Sequence, residues 1–593
     1  MESRTIPNPD ESWGEMTSEA IQALLLNNAI QSFPYRHPFF RRLYLVFFLL
    51  TSLVILLPFW TLLYIPVENR PRRTWTLERC LRVRWSRRLC GLVARCEIDY
   101  LGRDLTIELD PNSLKFSHPV TIPAAPPSIL RGHIKETLND ICSSRGKWIP
   151  HFVHRVKRGK QGVWGRWNVE NEEIQQYGFE DVKAFWFTGE KSSPQEDVKL
   201  RKPGDPVMLL FHGGGYLCGT AAETDMTSSI AKSMVKHSPI QHILSVDYRL
   251  APAAPWPLPL LDAISSYCWL VRTEGVDERD IVIAGDSAGG HLALALVRWL
   301  RDEGQNVQLK LPRGLVLLSP WSDVGFTNAW GQEAMSHNRD SDTIDDTFGP
   351  FATSLLLRAL PASIMHTSPY LSPSSLLLPS DASGPDSFKG FPPTYIVYGG
   401  AERLSRSIVL LWDRIQLSRQ GDAHVVSDRL FVSPDAVHDF LIFAWMAVEA
   451  STVYEDLDEW LRLLLSTEQP TGEDSHVSPE LWQKHDVSDW REMVQRGRIS
   501  RQETRESLKS HKSPVMGPTT DHMGMMRMVE DMSGEGMSMI DKSAHFAIEL
   551  PKSPEWLSPL TAEFGLDYAP DDSEVPWYDL DSADSDTETR KDR

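Results

Sequence analysis

Ser287 lies at the centre of the short run Gly285-Asp286-Ser287-Ala288-Gly289-Gly290. Apolar residues at 281–284 come before this run, and residues that favour a helix follow it at 291–297. A strand that turns sharply into a helix exposes a serine hydroxyl above a sheet, and flanking glycines let the strand and the helix approach closely. The run predicts that Ser287 is a nucleophile. Because the same spacing arises by chance in long chains, this prediction depends on partners elsewhere.

A second glycine-rich run, His212-Gly213-Gly214-Gly215-Tyr216, follows the apolar segment 207–211. Glycines at the carboxyl end of a strand let backbone N–H groups point into a cleft, where they can stabilise the oxyanion of an acyl-transfer intermediate. No lysine follows the glycines, and the spacing of a dinucleotide fingerprint is missing. The run therefore favours serine chemistry over phosphate binding.

The elements that must position these residues alternate along the central part of the chain. Short apolar runs separated by helix-compatible stretches occur at 182–187, 207–211, 243–247, 281–284, 315–318 and 395–398. Continuous apolar strands alternating with helices are typical of a mostly parallel sheet that is covered on both faces. The sequence predicts an α/β fold.

Four motifs in order resemble the hormone-sensitive-lipase branch of the α/β-hydrolases, and the resemblance covers residues 200–450. They lie at 212–216, at 247–252 with Trp256-Pro257, at 285–290 and at 318–323. The resemblance implies an α/β-hydrolase fold with a helical cap, which the N-terminal part and the insertion at 326–392 would form. It also implies a carboxylesterase or deacetylase that needs no cofactor and acts on a small lipophilic ester.

The resemblance further implies a Ser–acid–His triad in that chain order. His438 lies after the last strand in the family's context and is the expected base, which would activate Ser287 and protonate the leaving alcohol. The family's position for the acid selects Glu402, with Asp428 and Asp439 as alternatives. Relatives often carry a second acidic residue soon after the acid, whereas Ser405 and Arg406 stand here.

The backbone N–H groups of Gly213 and Gly214, with Gly215 as a further donor, and of Ala288 are the expected oxyanion hole. His212 receives no catalytic role, because in the family this position shapes the loop. We expect Asp286 and Asp247 to be structural.

Composition excludes several other functions. The 593 residues carry a net charge of −19, and no basic stripe with interleaved aromatics occurs in the central region, so nucleic acid is not an expected partner. None of the six cysteines forms a C-x-x-C pair, and no metal is expected. A methionine-rich tract at 516–539 is interpreted as flexible or partner-binding rather than as a copper site.

Residues 44–65 run without a charge for about 33 Å of helix at 1.5 Å per residue, enough to span a bilayer. A buried core helix and, because of Pro58, a re-entrant hairpin are the alternatives. Eight arginines at 70–88 outnumber the three that lie just upstream, Arg36, Arg41 and Arg42, which places the downstream side in the cytosol under the positive-inside rule. We expect a single-pass anchor in the endoplasmic reticulum membrane. A lumenal catalytic domain is the alternative, since several anchored enzymes that the chain resembles face the lumen.

The predicted organisation is a polar segment at 1–43, a transmembrane helix at 44–65 and a basic juxtamembrane segment at 66–118. A catalytic domain at 119–466 and a mostly disordered acidic tail at 467–593 follow. The juxtamembrane segment is either an interfacial helix on anionic lipid or a solvated basic linker. Two other functions are considered: a hydrolase-fold binding protein or receptor without activity, and a scaffold whose acidic tail recruits partners on phosphorylation at Ser573, Ser582 or Ser585. The sequence leaves the oligomeric state open.

Overall fold

The computed structural model describes residues 37–96, 114–129, 131–143, 180–189, 201–251, 254–329, 338–357, 360, 364–419 and 427–466. Its centre is an eight-stranded sheet with the order β1-β2-β4-β3-β5-β6-β7-β8. The strands are β1 (Ser117–Ile122), β2 (Val182–Phe187), β3 (Val207–Phe211), β4 (His242–Asp247), β5 (Ile281–Asp286), β6 (Gly314–Leu318), β7 (Thr394–Gly399) and β8 (Arg429–Ser433).

Strands β3 to β8 run parallel to one another, while β1 and β2 join one side of the sheet as antiparallel strands. The central strands β3, β5, β6 and β7 are buried along their whole length, as their continuous apolar sequences require. The predicted α/β fold is confirmed. Two strands were not predicted: β8, and β1, which contains Pro119. Pro119 is tolerated there because β1 is an edge strand.

Helices cover both faces of the sheet. They are α1 (Pro38–Leu50), α2 (Leu57–Tyr64), α3 (Leu77–Arg95), α4 (Gly132–Ser143), α5 (Ser228–His237), α6 (Leu258–Arg272), α7 (Ala288–Glu303), α8 (Phe348–Leu357), α9 (Ile364–Thr367), α10 (Ser405–Ser418) and α11 (Ala447–Ser466). Helices α6 and α7 contact each other and the sheet, and α5 and α11 form a second such pair. A core cluster joins the apolar residues of α5 and α11 to those of the central strands.

Helices α1 and α2 are joined through a π-helical turn, Thr51–Leu56, into one helix whose apolar part, Phe39–Tyr64, is long enough to cross a membrane. Pro58 has no N–H to donate within the helix, and the wider turn just before it absorbs this loss, so the helix continues. Its large apolar side chains are mostly exposed, Val54 to 68% and Leu62 to 70%. Among the described helices it is the one with the length and composition of a membrane span.

Helix α3 lies in the predicted juxtamembrane segment and packs against the α/β fold. It contacts α8, and its arginines find partners within the protein: Arg79 pairs with Glu449 at 2.6 Å and Arg84 with Asp340 at 3.2 Å. Arg88 donates to the hydroxyl of Ser52 at 2.6 Å, near the middle of the apolar helix. Neither predicted alternative for this segment, a lipid-bound helix or a solvated linker, includes these contacts with the rest of the protein. The predicted methionine-rich tract and acidic tail lie outside the described residues.

Candidate active site

Ser287 occupies the sharp turn between β5 and α7. Its backbone has φ 50° and ψ −113°, a conformation that a non-glycine residue adopts only under strain. Three hydrogen bonds hold it there: its N–H donates to Leu318 O at 2.9 Å, and its carbonyl accepts from Trp321 N at 2.9 Å and from His291 N at 3.1 Å. The turn is therefore fixed by β6 and by the first turn of α7.

The two glycines that flank the turn are required by its geometry. A Cβ atom on Gly285 would collide with the backbone of Gly289, and one on Gly289 would collide with the carbonyl of Phe211. This confirms the predicted reason for small residues two positions before and after Ser287.

His438 meets Ser287 directly. Its Nε2 lies 2.9 Å from Ser287 Oγ, which is hydrogen-bond distance, although the two residues are 151 positions apart in the chain. His438 follows β8 in a loop, and both side chains are buried. With a neutral imidazole, Ser287 Oγ donates to Nε2, the arrangement a general base needs to remove a hydroxyl proton.

Glu402 lies on the other side of the His438 ring. Its Oε1 is 3.7 Å from His438 Nδ1, beyond an ordinary hydrogen bond but within ion-pair range. Its Oε2 accepts from Ser319 Oγ at 2.7 Å and from Gly399 N at 2.9 Å, which fixes the carboxylate. Neither His438 Nδ1 nor Glu402 Oε1 has a hydrogen-bond partner within the described residues, so the two atoms face each other without a hydrogen bond between them.

The alternative acids are engaged elsewhere. Asp428 pairs with Arg419 at 2.8 Å and accepts from Thr394 N. Asp439 lies beside the buried carboxyl of Asp286, whose pKa is raised by burial and by the charge of Asp439. Within the described residues, Glu402 is thus the carboxylate that pairs with the imidazole of His438 within 4 Å.

Neighbouring carboxylates strongly affect the pKa of the His438 imidazole. Burial alone would lower the pKa of His438, but the carboxylates of Glu402, Asp439 and Asp342 outweigh it and raise that pKa to about 9. Burial raises the pKa of Glu402, while His438 and the hydroxyl of Ser319 act in the opposite direction. An imidazolium formed beside Glu402 is therefore well stabilised.

The glycine-rich loop after β3 lies against the turn at Ser287 but differs from expectation at one residue. The N–H of Gly213 donates to Asp286 Oδ2 at 2.8 Å, so this donor is already used and is not available to an oxyanion. The N–H groups of Gly214, Gly215 and Ala288 make no hydrogen bond to the described part of the chain. Gly214 and Gly215 have φ values of 112° and 64°, which favour glycine. The candidate donors are accordingly Gly214, Gly215 and Ala288.

His212 is buried and acts as part of the loop. Its Nδ1 lies 2.7 Å from Gly213 O, and its ring stacks on Tyr248 with centroids 4.5 Å apart. Asp286 is also buried, and both burial and the neighbouring Asp439 raise its pKa. Its carboxyl links the nucleophile turn to the glycine loop, the structural role expected for it.

Two residues of the site received no role from the sequence. Ser319 lies in one of the quoted motifs, and its hydroxyl also accepts from Asp439 N at 3.2 Å, so it connects acid and base loops. Asp342 lies in the long insertion, where no motif marks it, and it accepts the N–H of His438 at 2.9 Å. The described residues contain no cluster of His, Cys, Asp or Glu side chains that could hold a metal ion.

Known proteins share this sequence pattern. The family model described as alpha/beta hydrolase fold matches residues 208–442. An esterase from Mycobacterium tuberculosis, LipU, is 33% identical over 262 residues, which cover 43% of this chain and 77% of LipU. An esterase from Acinetobacter venetianus is 29% identical over 274 residues, 45% of this chain and 77% of that protein.

Two further matches are more limited. Steryl acetyl hydrolase 1 from Saccharomyces cerevisiae is 30% identical over 142 residues, 23% of this chain and 32% of that protein. A solved esterase of the bacterial hormone-sensitive lipase family is 28% identical with a TM-score of 0.37, over 48% of this chain and 82% of that chain.

The family assignment depends on the LipU match, the family model and the order of the motifs on the parallel sheet. We conclude that the chain belongs to the α/β-hydrolase fold family, in its hormone-sensitive-lipase-like branch of carboxylic-ester hydrolases.

Proposed function

We propose that this protein is a membrane-anchored serine hydrolase that removes short acyl groups, acetyl above all, from esters of lipophilic alcohols. The single observation that carries the proposal is the 2.9 Å contact between Ser287 Oγ and His438 Nε2 at a strained strand–helix turn. Acetyl as the acyl group is supported by the yeast steryl acetyl hydrolase, whose printed name describes that relative. The lipophilic alcohol is supported by the same name and by the exposed apolar helix at Phe39–Tyr64.

In the proposed mechanism, His438 Nε2 takes the proton of Ser287 as Oγ attacks the ester carbonyl carbon. The N–H groups of Gly214, Gly215 and Ala288 stabilise the oxyanion, and Glu402 stabilises the imidazolium. His438 then donates its proton to the leaving alcohol, and the acyl group stays on Ser287. Water, activated by His438, attacks the acyl-enzyme and releases the acid. Closing the 3.7 Å gap between His438 Nδ1 and Glu402 Oε1 accompanies formation of the imidazolium.

The test is hydrolysis of p-nitrophenyl acetate and butyrate by the purified full chain. We expect Ser287→Ala to abolish the activity. Ser451→Ala, whose exposed hydroxyl bonds to Val448 O within α11, is the matched control and should keep it. An inactive wild type, or an active Ser287→Ala variant, contradicts the proposal.

A fluorophosphonate probe separates this proposal from the alternative of a binding protein or receptor without activity. A competent serine hydrolase labels covalently at Ser287, and Ser287→Ala does not label. A receptor retains ligand binding without labelling. Comparing lipid esters in cells that carry wild-type chain and the Ser287→Ala variant then identifies the substrate as the ester that accumulates.

The arginine excess after the apolar helix supports a cytosolic catalytic domain, and the resemblance supports the endoplasmic reticulum membrane. Protease added to intact microsomes should remove a C-terminal tag and spare an N-terminal one. Complete protection of the C-terminus contradicts this orientation. The bond from Arg88 to Ser52 favours one other arrangement, a helix lying along the membrane surface, in which protease reaches both tags.

A further inference from the structure

Asp342 is a buried acidic residue outside the predicted triad, in the insertion between β6 and β7. We propose that it is a positioning residue for the hydrolytic reaction, because its carboxylate fixes the backbone of the base loop to that of the acid loop. The inference rests on the proposed function and adds to it a residue that no motif identifies.

The carboxylate of Asp342 is fully buried and accepts three backbone N–H groups. Its Oδ1 accepts from His438 at 2.9 Å and from Thr343 at 2.7 Å, and its Oδ2 accepts from Arg403 at 2.8 Å. Arg403 directly follows Glu402 in the chain. One side chain therefore bonds to the backbone of the base and to the residue beside the acid.

These bonds require a carboxylate. Hydrogen bonds to an ionised acceptor are stronger than neutral ones, and two oxygens are needed to accept from both loops. An asparagine has the same shape but offers one acceptor, so its NH₂ group would face one of the backbone N–H donors. Either the His438 loop or the Arg403 loop would then lose its bond and move.

The residues around Asp342 hold the same acid loop. We call residues 338–346 the bracket. Asn338 Nδ2 donates to Gly400 O at 3.0 Å and to Glu402 O at 2.8 Å, and Ser341 Oγ donates to Ala401 O at 3.0 Å. Asp342 is the member of the bracket that also reaches the base, which makes it the link between the two halves of the proposed triad.

The bracket is in turn held by the N-terminal helical part of the chain. Arg87 of α3 donates to the carbonyls of Arg339 and Ile344, the latter at 3.0 Å, and lies 3.2 Å from Asp346. Arg72, in the linker after the apolar helix, donates to Asn338 Oδ1 at 3.0 Å and to Gly400 O at 2.6 Å. The position of Asp342 is thus fixed from both sides.

Asp342 also acts on the base through its charge. The carboxylates that raise the pKa of His438 come from three segments: Glu402 from the acid loop, Asp439 from the base loop and Asp342 from the bracket. Removing the charge of Asp342 should lower the pKa of His438 while Glu402 and Asp439 keep theirs. A residue that only helps the chain to fold would not move this pKa in the folded enzyme.

The experiment compares Asp342→Asn with Asp340→Asn in the full-length protein, with p-nitrophenyl butyrate as substrate. Asp340 lies on the same bracket, but its side chain is 68% exposed and pairs with Arg84, so its variant is the matched control. For Asp342→Asn we expect kcat to fall about 10- to 100-fold, the size of a lost hydrogen bond to a charged group, with KM within about twofold. The acid limb of the pH profile should move to lower pH. Asp340→Asn should change neither.

A folded Asp342→Asn protein, with wild-type thermal unfolding, wild-type kcat and an unmoved acid limb, overturns the proposal. Asp342→Glu is the second variant: it keeps a buried carboxylate but displaces its oxygens, so we expect a lower kcat with the acid limb in place. If Asp342→Asn misfolds while Asp342→Glu has wild-type kcat, Asp342 serves folding alone and the proposal is wrong. An inactive wild type instead contradicts the proposed function, so the two failures are distinguishable.

Discussion

Replacing Glu402 with glutamine tests the electrostatic origin of the proposed catalytic base. Glutamine has nearly the same shape and can still accept from Ser319 and Gly399 through its oxygen, so the fold of the loop should survive. What disappears is the negative charge 3.7 Å from His438 Nδ1. The variant therefore isolates the effect of charge on the imidazole.

The size of the effect follows from the pKa of His438. This pKa stands at about 9 against an ordinary value of 6.5, and Glu402 is the main group that raises it. Without Glu402 it should fall toward 6.5, a change of up to about 2.5, or about 3.4 kcal/mol at 1.36 kcal/mol per pKa unit. The His438 imidazolium of the variant is less stable by that amount, so kcat should fall about 10²- to 10⁴-fold.

The assay is kcat/KM for p-nitrophenyl butyrate between pH 5 and pH 10. Only neutral His438 can accept the Ser287 proton, so wild-type activity should rise with pH until about pH 9. In Glu402→Gln, this acid limb of the pH profile should lie at lower pH. Asp428→Asn, which breaks the pair with Arg419, is the control and should leave the limb unmoved. Glu402 is refuted as the acid if the acid limb of the pH profile stays in place in Glu402→Gln but moves in Asp428→Asn or Asp439→Asn.

Three more outcomes are expected. Gly214→Ala should lower kcat/KM at least about 100-fold, because a Cβ atom there would collide with the carbonyl of Cys218 and displace an oxyanion donor. Gly204→Ala is the control: Gly204 also has a positive φ but lies in open space, so this variant should lose stability and keep its kcat/KM. Ser319→Ala should lower the free energy of unfolding in urea by about 1.5–3 kcal/mol, since it removes a hydrogen bond to the buried Glu402 carboxylate, and an unchanged midpoint would contradict that bond. Replacing three exposed apolar residues of the N-terminal helix, Phe47, Val54 and Leu62, by serine should reduce co-sedimentation with lipid vesicles more than about 100-fold, because each side chain contributes about 1.5–3 kcal/mol to membrane binding. Met226→Ser, which removes an exposed apolar side chain elsewhere, should not reduce it.

Much of the catalytic centre is readable from sequence because its members follow buried strands. Ser287 follows β5 and the glycine loop follows β3, and neighbouring parallel strands end at the same edge of the sheet. The apolar runs that define these strands are strong signals. The expected meeting of Ser287 with His438 depends on this topology together with the family resemblance.

Other contacts have no such signal. The N–H of Gly213 could be assigned to an oxyanion or to Asp286, and only the backbone path of the loop decides between them. Asp342 meets His438 across 96 residues through a backbone N–H, so no side-chain pattern announces it. The arginines of α3 look like a lipid-binding or solvated segment in sequence, because the acidic and carbonyl partners that they meet are distant in the chain.

The left-handed backbone of Ser287 also bears on how such a chain can change over generations. A strained residue of this kind costs about 1–3 kcal/mol, and glycine would adopt the same conformation with little of that cost. A lineage released from ester hydrolysis would gain stability through the one substitution that abolishes the chemistry, so drift toward an inactive descendant should begin at position 287.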